Sequence, residues 1–188
     1  LSATADTLRL ASAPRGHSVR RLDEDDWSSQ LELMRQVDAE SGLQGEAHDR
    51  YLTAYVASRQ RWSQAWTGSF WGVFDGSALI ASAGLFFSDG LGRYQDVVTA
   101  PHARRRGAAS ALVSKLGHEA FERGCHAVVI VTVDDSDAHR LYRGLGFVLQ
   151  ENYVDMSRSP AMGSADGPPG GPTSEPPAPG QQEIADLL

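Results

Sequence analysis

Residues 25–39 carry Trp27, Leu31 and Met34 at three- and four-residue spacing, with acids gathered near the N-terminal end. That rhythm predicts an amphipathic helix whose dipole favours an acidic start. A glycine-containing break at residues 41–45 follows. Residues 48–66 then predict a second helix, with Tyr51, Leu52, Tyr55, Val56 and Trp62 as its apolar stripe. Two apolar runs, residues 70–74 and 78–87, flank Asp75-Gly76 and predict a hairpin. Gly90 and Gly92 interrupt the chain, and residues 94–99 read as a further strand. Residues 101–107 are a basic loop, and residues 108–123 a helix with Leu112, Leu116, Ala120 and Phe121 on one side. Residues 127–133 are almost purely β-branched, which predicts a strand buried on both faces. A short helix at 136–144 and a last strand at 147–156 complete the pattern. The expected order is α-α-β-β-β-α-β-α-β, an α/β fold of the α+β sandwich kind around a central sheet.

Composition sets the outer limits of this unit. Residues 159–180 hold seven of the nine prolines and five glycines, and no aromatic residue follows Tyr153. Such a segment buries too little apolar surface to offset its ordering entropy. The expected division is therefore an N-terminal extension at 1–17, a folded domain at 18–158 and a disordered Pro/Gly-rich tail at 159–188. With 41% hydrophobic residues, a sizeable core is available. A single cysteine, Cys125, excludes a disulfide framework and a cysteine-rich zinc site. The chain has no apolar run long enough to span a membrane, and its start shows neither region of a secretory signal. A cytoplasmic setting is the expectation. Net charge is −7, which disfavours nucleic acid as a general partner. Residues 23–49 alone hold nine acids and one base.

The candidate chemistry sits where a strand meets a helix through a basic turn. Val97, Val98 and Thr99 precede Arg104-Arg105-Arg106-Gly107-Ala108-Ala109, and a helix follows. A helix N-terminus leaves backbone N–H groups unpaired and favours an anion. Small residues at 107–109 let a phosphate approach those groups, and arginines add fork-shaped donors. The competing reading is a solvated basic loop before an ordinary helix. The phosphate loop G-x-x-x-x-G-K-[ST] is absent, and Gly90 and Gly92 are followed by Gln95, so the dinucleotide fingerprint fails.

The pattern R-x-x-G-x-A after an apolar strand, carried by Arg104, Gly107 and Ala109, resembles motif A of the GNAT superfamily of acyl-CoA-dependent N-acyltransferases. Asp135-x-x-Ala138-x-x-Leu141-Tyr142-x-x-Leu145-Gly146-Phe147 resembles its motif B, with Asp135 where Asn is usual. The resemblance implies a mixed, mostly antiparallel sheet flanked by helices. It further implies that Arg104, Arg105, Arg106, Gly107, Ala108, Ala109 and Ser110 hold the pyrophosphate of acetyl-CoA, and that Val97, Val98 and Thr99 flank its pantetheine. Asp135 and Tyr142 complete the implied cofactor contacts. The implied reaction is direct acetyl transfer to an amine, with Tyr142 as general acid at the leaving sulfur. The base stays open among Asp96, Glu46 and His48; each of the three has a structural alternative, capping, ion pairing or starting a helix.

The acidic stretch at 23–49 suggests a small cationic amine or a basic peptide as acceptor, or else a solvated helix face. Trp62, Trp66 and Trp71 line a pocket or fill the core. Asp134, Asp135 and Asp137 do not fit a calcium loop, His118-Glu119 lacks the second histidine of a zinc helix, and no metal is expected. Neither a nucleic acid nor a membrane is an expected partner, and a homodimer is compatible with the resemblance. The rival reading is a catalytically inactive acyl-CoA-binding sensor or regulatory module.

Overall fold

The computed structural model describes residues 1–152. Among them six strands form one sheet: β1 (Ser2–Ala3), β2 (His17–Arg21), β3 (Gly68–Asp75), β4 (Ala78–Ser88), β5 (Leu91–Thr99) and β6 (Ala127–Val129). Four helices accompany them: α1 (Trp27–Glu40), α2 (Glu46–Ala65), α3 (Ala108–Glu122) and α4 (Asp137–Gly144). The sheet order is β1-β6-β5-β4-β3-β2, and only the β5–β6 pair is parallel. This is the expected α/β fold with a mixed, mostly antiparallel sheet. All four helices end within two residues of where the apolar rhythm predicts.

The periodic residues of α3 explain its place. Leu112, Leu116 and Ala120 are wholly buried in the central core, together with Val73, Ala81, Ala83 and Val128 from the strands. Tyr94 of β5 reaches under α3 and donates its hydroxyl proton to the Val113 carbonyl at 2.5 Å. A smaller cluster of Met34, Leu52 and Val56 seats α1 and α2 together, with Val98 of β5 packed against it. The helices α1–α2 and α3 therefore grip β5 through different residues, which fixes the strand beside the site.

Three expectations are corrected. Residues 1–17 are not an extension: β1 pairs with β6, Ala3 and Leu8 are buried, and the Arg9 amide donates to the Leu145 carbonyl. The arm then passes into β2, which pairs with β3 at the other edge of the sheet. Strands of two and five residues are too short for alternation to declare them. Gly146 makes this crossing possible, because a Cβ there would stand 1.9 Å from the Thr7 carbonyl oxygen. The strand expected at 127–133 stops at Val129, and Val131 and Val133 are exposed rather than doubly buried. Of the strand expected at 147–156, the described residues form one bridge, Val148 to Ser2. Residues 153–156 and the tail at 159–188 lie outside the described residues. Among the described residues no helix is long and apolar enough to cross a membrane.

Candidate active site

Parallel pairing of β5 with β6 covers Leu91–Ala127, Gly92–Val128 and Arg93–Val129, and no more. The reason lies on the other side of β5. Ser82 stands opposite Val98 and Gly84 opposite Gln95, so Ala83 alone faces both Asp96 and Val97. Asp96 takes the left-handed conformation, φ +49°. Such a bulge leaves the extra residue out of the ladder and bends its strand. Past the bulge β5 turns from β6, and the segment after Val129 loses its ladder partner. A cleft of about 290 Å³ opens between them, lined by Val97, Ile130, Val131, Thr132, Ala138 and Tyr142.

Asp96 does not stand free in this cleft. Its two carboxylate oxygens accept from Arg59 Nε at 2.6 Å and from the Tyr55 hydroxyl at 2.8 Å. Arg59 is buried, with its guanidinium 3.9 Å from the Tyr55 ring centroid and 4.0 Å from that of Trp62. The residue expected as a candidate base thus also holds α2 against the bulge while lining the cleft. Of the other two candidates, His48 Nε2 lies 3.0 Å from Asp38, and Glu46 pairs with Arg50 on the surface. Neither lines the cleft.

The turn into α3 leaves donors without acceptors. The Arg104 amide bonds to Pro101 and the Ala111 amide to Gly107, and among the described residues those at 105–110 reach no backbone carbonyl. Gly107 is the N-cap at φ +86°, and no side chain caps this end. Arg105 is also left-handed, φ +57°, which turns its amide with the loop. Ala108 is buried, and Ala109 and Ser110 are partly so. The three arginines separate here. Arg104 pairs with Glu40 at the end of α1 and donates to the Thr99 carbonyl, so it braces the loop. Arg105 and Arg106 are exposed, and neither has an ion-pair partner among the described residues.

Tyr142 comes from the buried face of α4, whose N-cap Ser136 accepts from the His139 amide at 3.0 Å. Its ring packs on Phe147, and its burial pushes the phenol up to about 12. At neutral pH it is a proton-bearing donor at the cleft wall. Asp135, by contrast, is exposed on the turn before α4 and does not line the cleft. Donor atoms of Asp134, Asp135 and His139 lie within 4.8 Å of one another. They contact each other: His139 Nδ1 accepts from the Asp135 amide at 3.2 Å and lies 3.0 Å from Asp134.

Three buried phenols resist ionisation. Tyr142, Tyr55 and Tyr94 are all raised from 10.0, chiefly by burial, with Asp96 adding to the effect at Tyr55. Unfolded tyrosines lose their protons first as pH rises, so the unfolded state then binds fewer protons. Stability from these groups is complete below pH 10 and declines as pH climbs through the folded values. Urea midpoints should hold steady up to about pH 10 and fall above it; an unchanged midpoint at higher pH would contradict the burial of these hydroxyls.

The acidic stretch looks different once folded. Arg20 engages Asp23 and Asp26, Arg35 engages Glu32 and Asp49, Arg104 engages Glu40, and Arg50 engages Glu46. Three of those four arginines lie outside or beyond the counted segment, so the wall is far less negative than its own sequence. The Arg20 contact holds the Asp26 carboxyl below its ordinary range, against the opposing effect of burial. Trp66 lines a second, wider cleft of about 1150 Å³ with Phe86, Phe87, Val129 and Val131. Trp62 and Trp71 pack against the core.

The sequence profile of the acetyltransferase (GNAT) family matches residues 21–147. The chain belongs to the GNAT acetyltransferase family. No curated protein sequence matches it. Solved structures share the fold at low identity. An acetyltransferase from Trypanosoma brucei is 22% identical, covers 76% of this chain and 99% of its own, and superposes with a TM-score of 0.59. An acetyltransferase from Clostridium acetobutylicum, solved with acetyl-CoA, is 20% identical over 75% of this chain and 96% of its own, TM-score 0.57. The PaiA N-acetyltransferase of Thermoplasma acidophilum, solved with coenzyme A, is 17% identical over 73% and 92%, TM-score 0.60. Within this GNAT chain, Arg59 and Tyr55 are the site residues that motif reading passes over. Their signal is a basic residue in the aromatic stripe of α2.

Proposed function

We propose that this chain transfers an acetyl group from acetyl-CoA to the primary amine of a small molecule or peptide that arrives as a cation at that amine. The observation that carries the reading is the alignment of two features. The uncapped N-terminus of α3 offers N–H groups to a pyrophosphate, and the cleft beside Val97 admits an extended thioester arm. The residues suited to acetyl-CoA are those at 105–110 for the phosphates and Val97 beside the arm, with Arg104 bracing the loop; Val98, packed on the α1–α2 cluster, and Thr99 continue the strand without lining the cleft. Relatives solved with acetyl-CoA or coenzyme A support this choice of co-substrate.

In the step itself, the neutral amine nitrogen attacks the thioester carbon and the C–S bond breaks. The amine's proton must leave for attack to occur, and the thiolate ends as a thiol. Backbone N–H groups freed from the ladder at the bulge suit the developing oxyanion. Tyr142 faces the same cleft. A phenol held at about 12 does not surrender its proton to a thiolate whose acid lies near about 8.5. Its role is therefore to donate a strong hydrogen bond to the departing sulfur, while solvent delivers the proton.

The test is thiol release from acetyl-CoA with a panel of primary amines, beside acetyl-CoA affinity by calorimetry. A hydrogen bond to a charged sulfur is worth about 1.5–3 kcal/mol, so Tyr142→Phe should lower kcat about 10- to 150-fold. Affinity for acetyl-CoA should stay within a few-fold. An unchanged kcat removes Tyr142 from the mechanism. Tight acetyl-CoA binding without turnover across the panel favours the sensor, and no binding at all sinks both readings.

A further inference from the structure

Arg93 occupies the last β5–β6 pair before the two strands separate. Its strand neighbours face α3: a Cβ on Gly92 would meet Ala120, and Tyr94 bonds to Val113. Alternation turns Arg93 to the opposite face of the sheet. There it lines both the narrow cleft beside Tyr142 and the wide cleft beyond it. It is the charged group common to the two. Arg93 is partly buried, yet among the described residues it has neither an ion-pair partner nor a side-chain hydrogen bond. The contrast with Arg59 and Arg104, each spent on a carboxylate, is plain.

The surroundings of Arg93 are largely apolar: Trp66, Phe86, Phe87, Val131 and Leu149 line the same wide cleft. Two carboxylates also line it. Asp134 lies against His139, and Glu151 is exposed. A partly desolvated guanidinium in such a place is stabilised by an anion that brings its own apolar body. Carboxylate geometry matches the guanidinium fork. We infer that Arg93 seats a carboxylate of the acceptor, so that the acceptor is an amine that also bears a carboxylate and an apolar side group. The inference rests on the acetyl-transfer reading for the word acceptor, and deepens it. The reacting amine lies toward Tyr142, the carboxylate lies on Arg93, and the apolar body lies along Trp66 and Phe87.

Its test does not depend on turnover. Hydrocinnamate and hydrocinnamamide differ in the carboxylate and share the apolar body. Their binding to the full chain is measured by calorimetry, with and without coenzyme A. The acid should bind about 10- to 100-fold more tightly than the amide, the range of a charge-assisted pair. Arg93→Gln should erase that preference and Arg93→Lys should keep part of it, with thermal unfolding confirming that each variant folds. Equal affinity for acid and amide in the parent chain overturns the inference, as does no binding of either. A preference that survives in Arg93→Gln overturns it too. With phenylalanine, phenylalaninamide and phenethylamine as acceptors, kcat/KM should fall in that order. Loss of acetyl-CoA binding would sink the transfer reading, while the acid–amide comparison in the free protein still decides the role of Arg93.

Discussion

Gly107→Glu abolishes acetyl-CoA binding, with affinity reduced at least about 100-fold, while the chain still folds. The backbone at Gly107 has φ +86°, and the nearest atom to an added Cβ is Pro14 Cγ at 4.0 Å. Space is therefore available, and the cost to folding is the left-handed conformation of a non-glycine residue, about 1–2 kcal/mol. The cost to binding is larger. A carboxylate at the N-cap places negative charge beside the donors that face a pyrophosphate. Two unit charges about 5 Å apart repel by about 3 kcal/mol at an effective dielectric of about 20, which is a factor of about 100 or more. Gly107→Ala separates the two effects. It imposes the same backbone cost without the charge and should retain affinity to within about tenfold. Calorimetry with acetyl-CoA gives the affinities, and thermal unfolding gives the strain. Wild-type affinity in Gly107→Glu would mean that the phosphates lie elsewhere. An equal loss in Gly107→Ala would assign the defect to the backbone.

The contrast between Gly107 and Asp96 explains what can be read from the chain before its fold is known. The turn at 104–109 is legible because its requirements are local: small residues, a glycine able to take positive φ, and a helix beginning beside them. Helices α1 to α4 are legible for the same reason, since their apolar rhythm repeats over three or more turns in all but the shortest. Asp96 gives no such local signal, because it follows Arg93 and Gln95 in a strand of mixed polarity and its bulge shows only in the pairing with β4. Its partner is not visible either. Arg59 lies 37 residues away and meets it only through tertiary packing. The acidic stretch misleads by the same mechanism, because Arg20, Arg50 and Arg104 neutralise it from positions outside the counted window. The early truncation of β6 is a property of the bulge on β5, and six β-branched residues in a row cannot announce that their ladder partner will turn away. The first seventeen residues are as rich in leucine and alanine as the rest of the chain, but a two-residue strand is too short for any period, so the strand that closes the sheet beside β6 passes unseen.

Arg59→Ala should cost about 3–5 kcal/mol of stability, the penalty for stranding one member of a buried ion pair. Both side chains are withdrawn from water, at 8% and 18% exposure, so little screening relieves the loss. The guanidinium also fills the gap between the Tyr55 and Trp62 rings, and its removal forfeits both contacts. Asp96 would keep only the Tyr55 hydroxyl, and its left-handed backbone would lose the anchor that holds it. Relaxation of the bulge would let β5 drift toward β6 and narrow the cleft, so acetyl-CoA affinity should fall along with stability. The pair Arg59→Met and Asp96→Asn replaces charge with neutral groups of similar volume and should recover most of the stability. Urea unfolding of the single and double variants supplies the coupling between the two positions. Turnover in the double variant then decides what Asp96 contributes. If its carboxylate only braces the bulge, the refolded cleft should turn over amines within about tenfold of the parent chain, a range set by imperfect geometry alone. If it takes the amine's proton, stability returns and kcat stays low by about 100-fold or more, the usual loss of a general base.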